Sequence, residues 1–394
     1  MRKNIVKLNE NEYKILDLIL KNNEITSLEL AKNLNVSPAA ISKILKKLRK
    51  EEYIFEKEEV KNIGKGRPRK IMSIKNDIKM ILGVNFGADF IDISVGKLDG
   101  SIIETKRKKF FMKKKDSLVD LLLTELDSYF EKYDKNDIVG IGLALNGIID
   151  SENRNVIFSP YFKWSNFKIG ELVEERYNIP TMIDNDVRAM LNAEILFGKA
   201  KKMGNIFYLY MKNGIGSSML IDGKIYKGSN NQAGEIGHFI INKNSNFACK
   251  CGKVGCIETE FSENSIKLMV HTEYEKLGQY IVQEDINIVD IYENAKKGNE
   301  VLAKIVSNIS YKVGETVGNV MNVLDIKDII VSGDIVHSGE IFKVNFEKGI
   351  KSSLTENFCS KINLHLTELG DNAEKYGALS LVMNNLFANL KLIK

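Results

Sequence analysis

Two stretches of this 394-residue chain repeat one design, and the repeat narrows the fold more than any other feature. In the first, IKMILGVNFG, FIDISVGKLDG and SIIETKRKKF read as three consecutive strands, the second closing on an Asp99-Gly100 turn. A helical stretch over residues 117–133 follows and leads into the apolar strand IVGIGLAL. In the second, TMIDND reads as a strand and residues 187–197 as a helix. NIFYLYMK and SSMLIDGKIYKG then form a hairpin around Asp222-Gly223, and largely helical segments run on to the strand DIIVSGD. Two successive meander-plus-helix blocks predict a duplicated α/β architecture with a ligand cleft between its halves.

Charge separates a further region from this body. Residues 1–75 carry 18 Lys and Arg against 10 Asp and Glu, whereas the rest carries 39 against 42. A basic head before a mildly acidic body suggests nucleic acid as a partner. No apolar run is long enough to span a membrane. The first twenty residues scatter charge among apolar positions without a small-residue cleavage site, so the expected location is the cytoplasm.

Within the head, Ile15, Leu16, Ile19 and Leu20 recur at helical spacing, and Thr26 with Glu29 forms a capping box for a second helix running to Leu34. Ser37 caps a third helix whose first residue is Pro38, where a missing N–H costs nothing. In SPAAISKILKKLRK, Ile41, Ile44, Leu45 and Leu48 fall on one face. The opposite face offers Ala39, Ser42, Lys43, Lys46 and Arg49. Together with the cap Ser37 it places small side chains near the helix N-terminus, where base edges are read, and cations further along for phosphates. A strand from Tyr53, the tip GKGRPRK and a strand from Ile71 then read as a β-wing, with Arg67 and Arg69 splayed by Pro68 towards a minor groove. These elements together predict a winged helix-turn-helix over residues 1–75.

CKCGKVGCIE, at 249–258, holds three of the four cysteines. A disulfide staple, a catalytic centre and a metal clip are the alternatives. The C-x-C spacing brings two sulfurs too close for an easy disulfide, and Gly252 and Gly255 let the chain turn Cys256 back towards Cys249 and Cys251. Thiolates suit zinc at roughly 2.3 Å, and a glycine-interleaved cytosolic cluster favours metal. Cys359 reads as a core residue, and His271, His337 and His365 lie in no ligand-spaced cluster.

AGEIGH at 233–238 followed by this cysteine stretch resembles the ROK family of repressors and sugar kinases, whose members show GE-x-GH and then CxCGxxGCxE. IGLALNGIID, SPYFKW at 159–164 and IPTMIDNDVRA at 179–189 extend the resemblance over about 81–386. The winged head resembles that of the family's transcriptional regulators. The implied fold class is α/β: a winged helix-turn-helix followed by a two-lobed, actin-like body of duplicated ribonuclease H-like lobes. The body would span 76–394, with lobes near 76–185 and 186–394 and a C-terminal helix free to return to the first lobe.

The resemblance supplies His238 as fourth ligand beside Cys249, Cys251 and Cys256. With no open position left for water, the zinc it implies is structural. It also implies a sugar pocket lined by Asn185, Asp186, Glu235, His238 and Glu258, groups suited to holding several hydroxyls in a fixed pattern. Asp186 matches the position of the kinases' general base.

The phosphate loops depart from those of the kinases. Where they carry DxGGT, this chain has Asn85-Phe86-Gly87-Ala88-Asp89, with an anion in place of a neutral hydroxyl. GTGxGxG is represented by residues 212–218 with two of four glycines, and the adenosine-side glycines by Ser332-Gly333-Asp334. The expected function is therefore a sugar-responsive DNA-binding repressor of carbohydrate-utilisation genes, not an enzyme. It would bind an operator as a homodimer or homotetramer and release it on binding a sugar or sugar phosphate. An active ATP-dependent ROK-type sugar kinase carrying a DNA-binding head is the alternative, and a protein-recognising body is a third reading.

Overall fold

The computed structural model describes residues 9–22, 25–51, 53–58, 70–74, 79–87, 89–110, 115–279, 286–355 and 361–388. Helix α1 (Glu10–Asn22) opens on a reciprocal cap: the Glu12 N–H donates to Asn9 Oδ1 at 3.0 Å and the Asn9 N–H to Glu12 Oε2 at 2.8 Å. After the short strand β1 (Ile25–Thr26), the expected capping box opens α2 (Ser27–Leu34), with Thr26 and Glu29 exchanging hydrogen bonds. Asn35 ends α2 in the left-handed conformation, φ 52°. Helix α3 (Pro38–Lys50) starts as the sequence predicts, the Ser37 hydroxyl accepting from the Ala40 N–H at 3.3 Å. Ile15, Leu16, Ile19, Leu30, Ile41, Leu45 and Leu48 are buried together with Ile54 and Met72. Strands β2 (Ile54–Glu58) and β3 (Lys70–Ile74) pair antiparallel, and β1 adds to β3 to give the sheet order β1-β3-β2. The wing tip, and with it Arg67 and Arg69, lies outside the described residues, as does Cys359.

The body begins with the expected meander, β4 (Met80–Phe86), β5 (Phe90–Lys97) and β6 (Ile102–Lys109), all antiparallel. Helix α4 (Lys115–Lys132) connects to β7 (Ile138–Leu145), which lies parallel to β4. Strands β8 (Ile148–Asp150), β9 (Asn155–Ser159) and β10 (Trp164–Phe167) form a small sheet that sequence periodicity did not announce. Helix α5 (Ile169–Tyr177) then leads into β11 (Thr181–Asn185), parallel to β7, completing a five-stranded sheet of order β11-β7-β4-β5-β6. One apolar cluster joins Leu82, Val84, Ile91 and Ile93 of this sheet to Leu118, Leu122 and Leu126 of α4.

Helix α6 (Asp186–Phe197) precedes β12 (Ile206–Met211) and β13 (Ile215–Ile221), an antiparallel hairpin extended by β14 (Lys224–Ile225). The expected hairpin around Asp222-Gly223 needs correction. That dipeptide, with φ of 51° and 74°, turns β13 into β14, whereas residues 212–214 close β12 onto β13, the Lys212 N–H donating to the Gly214 carbonyl at 3.0 Å. After α7 (Ile257–Glu260), α8 (Glu263–Lys276), α9 (Ile288–Lys296) and α10 (Glu300–Leu324) come β15 (Asp328–Ser332), α11 (Glu340–Ser353) and β16 (Asn363–Leu366). Strands β15 and β16 run parallel to β12, giving β14-β13-β12-β15-β16. Each sheet thus has three antiparallel strands followed by two parallel ones.

The described residues fall into two compact units, one within Met1–Ala189 and Glu374–Lys394, the other Met190–Ala373. The C-terminal helix α12 (Ala373–Ala388) therefore counts with the first sheet. It can approach so closely because the strands beneath it offer glycine. The Leu379 backbone nitrogen lies 2.9 Å from where a Cβ of Gly83 would stand, and a Cβ at Gly142 would strike the Ala378 carbonyl. Among the described residues no helix is long and apolar enough to cross a membrane.

Candidate functional site

In the second unit, a turn of 3-10 helix (Ile236–His238) sets His238 beside a narrow cysteine loop. Bridges between Ala248 and Val254 and between Ile240 and Cys256 pinch that loop. The Cys249 N–H donates to the Lys253 carbonyl at 2.7 Å and the Gly252 N–H to the Cys249 carbonyl at 3.0 Å, with Gly252 at φ 88°. Gly255, at φ 70°, packs its Cα against the Asn242 backbone, leaving no room for a side chain. These constraints bring His238, Cys249, Cys251 and Cys256 together, with one ligand atom of each within 4.8 Å of all the others. Cys249 Sγ is 3.5 Å from His238 Nδ1, and Cys251 Sγ is 3.6 Å from Cys256 Sγ. A tetrahedral ion with metal–sulfur bonds of about 2.3 Å separates its ligands by roughly 3.7 Å, so the spacing fits such an ion.

The electrostatics agree with a cationic centre. Burial pushes the Cys256 thiol up to about 12, and the nearby Cys251 and Cys249 sulfurs add to the rise. Burial likewise raises Cys249. For Cys251 burial also acts upwards, but the Lys253 N–H and the neighbouring sulfurs prevail and bring it below the ordinary thiol value. Three thiolates this close repel one another, and a bound cation removes that penalty.

His238 has a second neighbour. Its Nε2 lies 3.5 Å from Glu235 Oε2, while its Nδ1 faces the sulfurs. A carboxylate at the far nitrogen fixes the ring of a metal-bound imidazole. Glu258 lies in the first turn of α7, two residues after Cys256, and its carboxylate accepts from the Ile215 N–H. It fits because the two nearest chain segments carry glycine: a Cβ at Gly214 or Gly237 would sit 3.1 or 3.3 Å from Glu258 Oε2. Burial raises its carboxyl above the usual range, with the neighbouring His238 acting in the other direction. Glu235, His238 and Glu258 thus share one region with the cysteines.

Asn185 and Asp186 stand at the β11–α6 junction of the first unit. The Asn185 side chain is largely committed to the backbone: its Oδ1 accepts from the Val187 and Arg188 N–H groups at 3.0 and 3.1 Å, and its amide donates to the Gly147 carbonyl at 3.2 Å. Asp186 Oδ1 accepts from the Val187 N–H at 2.9 Å. Beneath them lies a buried ion pair that the sequence reading missed. The Arg188 Nε donates to Asp184 Oδ1 at 2.6 Å, its Nη2 donates to the Ile149 carbonyl at 2.8 Å, and both side chains are nearly inaccessible. An acid and a base four apart across a strand-to-helix junction were its only sequence signal.

The stretches that differ from the kinase phosphate motifs lie in both sheets. Asn85 is buried at the end of β4, opposite Asp92, and Asp89 is exposed in the next turn. In the second unit Lys212 Nζ lies 3.8 Å from Asp334 Oδ1, so an internal ion pair joins the two altered turns.

In the head, Ala39, Ser42, Lys43 and Lys46 are exposed along α3. Ser37 is exposed too, with its hydroxyl engaged as the cap. Two other cations of α3 are held internally: Lys47 donates to the buried Glu12 at 2.7 Å, and Arg49 pairs with Glu56 of β2.

Residues 8–54 match a winged helix-turn-helix DNA-binding pattern. A xylose repressor of Caldicellulosiruptor bescii is 28% identical over 388 residues, covering 96% of each chain. The DNA-binding transcriptional dual regulator NagC of Escherichia coli K12 is 23% identical over 375 residues, covering 94% of this chain and 92% of that one. Among solved structures, a ROK family transcriptional regulator homologous to the E. coli MLC protein superposes with a TM-score of 0.81 at 24% identity, over 97% of this chain and 98% of the other. A ROK family glucokinase from Streptomyces griseus, in complex with glucose and AMPPNP, reaches 0.67 at 21% identity over 77% of this chain and 98% of its own. The duplicated sheets therefore belong to the expected actin-like fold. With the ROK pattern spanning residues 81–385, the chain belongs to the ROK family.

Proposed function

We propose that this protein is a sugar-responsive, DNA-binding transcriptional repressor acting in the cytoplasm as a homodimer or homotetramer. The observation that carries the reading is its collinearity with a xylose repressor over 96% of both chains, the winged head included. Exposed Ser42, Lys43 and Lys46 on α3 suit a helix laid in a major groove, with backbone cations fixing the register. Asn185, Asp186, Glu235, His238 and Glu258, the residues that the family resemblance assigns to a sugar, offer acceptors and donors to the hydroxyls of a sugar or sugar phosphate. Effector binding shifts the population away from the DNA-competent state by its differential affinity for the two states.

His238, Cys249, Cys251 and Cys256 would hold a zinc ion. Bound there, the ion supplies a cross-link and no open coordination position. It ties the turn bearing Glu235 to the helix start bearing Glu258, preorganising both carboxylates. Phosphoryl transfer is not assigned. Asp334 introduces a carboxylate into the region where a kinase would admit phosphate, and Lys212 is already paired with it.

A mobility-shift assay with the native upstream DNA, with and without a panel of sugars and sugar phosphates, tests the proposal. Specific binding relieved by one ligand is expected. Absence of specific binding under every condition refutes it. One observation favours a second reading: Asp186 retains a carboxylate at the kinase base position, so ADP release in a coupled assay across hexoses, lost in Asp186→Asn, would establish a kinase instead.

A further inference from the structure

The head contains a carboxylate placed where DNA phosphate would be expected to compete. Arg49 lies on the exposed stripe of α3 that also bears Ser42 and Lys46, one helical repeat further along. Lys70 is the first residue of β3, at the root of the wing and opposite Glu58. Both cations converge on Glu56 of β2. Arg49 Nη1 pairs with Oε1, and Lys70 Nζ lies 3.0 Å from Oε2. Glu56 is anchored because its strand position puts it opposite buried Met72, and its side chain is only 20% exposed against 38% and 47% for its two partners. Arg49 is tethered further by its Nε, which donates to the Leu45 carbonyl at 3.4 Å.

Each oxygen of the carboxylate thus engages one cation from a different DNA-facing element. A duplex phosphate offers the same chemistry, two anionic oxygens for an arginine and a lysine. We infer that Glu56 is a specificity-setting residue that acts as an internal phosphate mimic, occupying Arg49 and Lys70 so that random DNA cannot recruit them without displacing it. Sequence-independent affinity comes almost wholly from phosphates neutralised by Lys and Arg. Withholding two cations therefore lowers binding to random duplex and leaves base reading by the start of α3 in place. The ratio between operator and random DNA, not raw affinity, is what decides occupancy in a genome.

The inference rests on the DNA-binding reading, and one experiment separates their fates. The full-length protein and its Glu56→Gln variant are titrated by fluorescence anisotropy against a random-sequence duplex across a salt series. Wild-type binding that weakens with salt is the expected baseline; no binding by either protein would overturn the DNA-binding reading itself. Each cation released to a phosphate steepens the plot of log affinity against log salt by about 0.9, so Glu56→Gln should steepen it by roughly 1 to 2 and tighten binding several-fold at low salt. Arg49→Gln combined with Glu56→Gln should take back about half of the added slope. An unchanged slope in Glu56→Gln overturns the proposal. A role confined to holding the wing would lower the melting temperature without steepening the slope, and that outcome overturns it too.

Discussion

The two body sheets share one strand plan, yet they are held together by different means. In the first, a single helix, α4, links the meander to the parallel strands, and close packing does the rest: Ala144, Ala189, Ala378 and Leu381 form a tight cluster where α12 lies on the glycine-bearing strands. In the second, residues 226–327 make the same connection and carry the four residues that could hold a metal as well as α7, α8, α9 and α10. The loop segment has little core of its own. Phe239, Ile240, Ile241 and Val254 are exposed, and Ile236, Cys249, Cys256 and Ile257 are its main buried side chains. Hydrophobic burial cannot order so short a segment, and a metal cross-link can. The comparison teaches that a duplicated scaffold leaves its connections free to acquire chemistry, provided something other than the core fixes them.

The largest effect expected from breaking this contrast is loss of the clip. Cys256→Ser, or chelation of the proposed zinc, should cost about 4 kcal/mol or more, because the metal's binding energy is folding energy for the segment it ties. Melting should fall by roughly 10 °C, with proteolysis appearing between residues 239 and 256. Metal analysis of the purified protein should give one zinc per chain, and a protein that contains none while melting unchanged after chelation would refute the assignment. The first unit should be indifferent to chelation, which hydrogen exchange on β4 and β7 reports.

The converse test strikes the first unit. Gly142→Ala puts a methyl into the Ala378 carbonyl, a backbone clash that no rotamer relieves, and overpacking of this kind should cost about 3 kcal/mol. Gly204→Ala, where nothing lies within 4 Å, is the control and should change stability by less than about 0.5 kcal/mol. Zinc content should stay constant in both. Equal melting shifts for the two variants would show that α12 does not depend on that close approach.

What could be read from the sequence depended on how local the cause was. Cysteines and glycines within eight residues point to a metal-holding loop, and Thr26, Glu29, Ser37 and Pro38 announce helix starts, because caps and closely spaced ligands act locally in sequence. The Asn9–Glu12 cap of α1 was equally local and was overlooked. The Glu12–Lys47 and Arg49–Glu56 pairs were not legible, since they join residues that only the folded head brings together, and the second engages Arg49, which helical spacing alone had placed on the DNA-facing stripe. The glycines of β4 and β7 were likewise silent until α12 showed what they accommodate. The turn at 212–214 was hidden by the stronger Asp222-Gly223 signal, which forms a genuine turn one strand later.

A smaller stability effect than either of these losses concerns Asn185 and decides between two jobs for one side chain. Its carbonyl oxygen accepts two N–H groups at the start of α6 and its amide holds the Gly147 carbonyl, so the residue serves the β11–α6 junction before it serves any ligand. Loss of an N-terminal cap costs about 1 kcal/mol, and Asn185→Ala should lower the melting temperature by a few degrees. Asn185→Asp keeps the oxygen that accepts both N–H groups and turns the amide that donates to the Gly147 carbonyl into a second acceptor. If Asn185 acts chiefly through the junction, Asp should restore most of the melting temperature and of the sugar-induced release of DNA. If it acts by donating to a sugar hydroxyl, Asp should restore stability but not release, since an ionised carboxylate cannot donate. Glu258→Gln, read in the same release assay, gives the scale for losing a carboxylate acceptor in the other unit, against which the Asn185 variants are ranked.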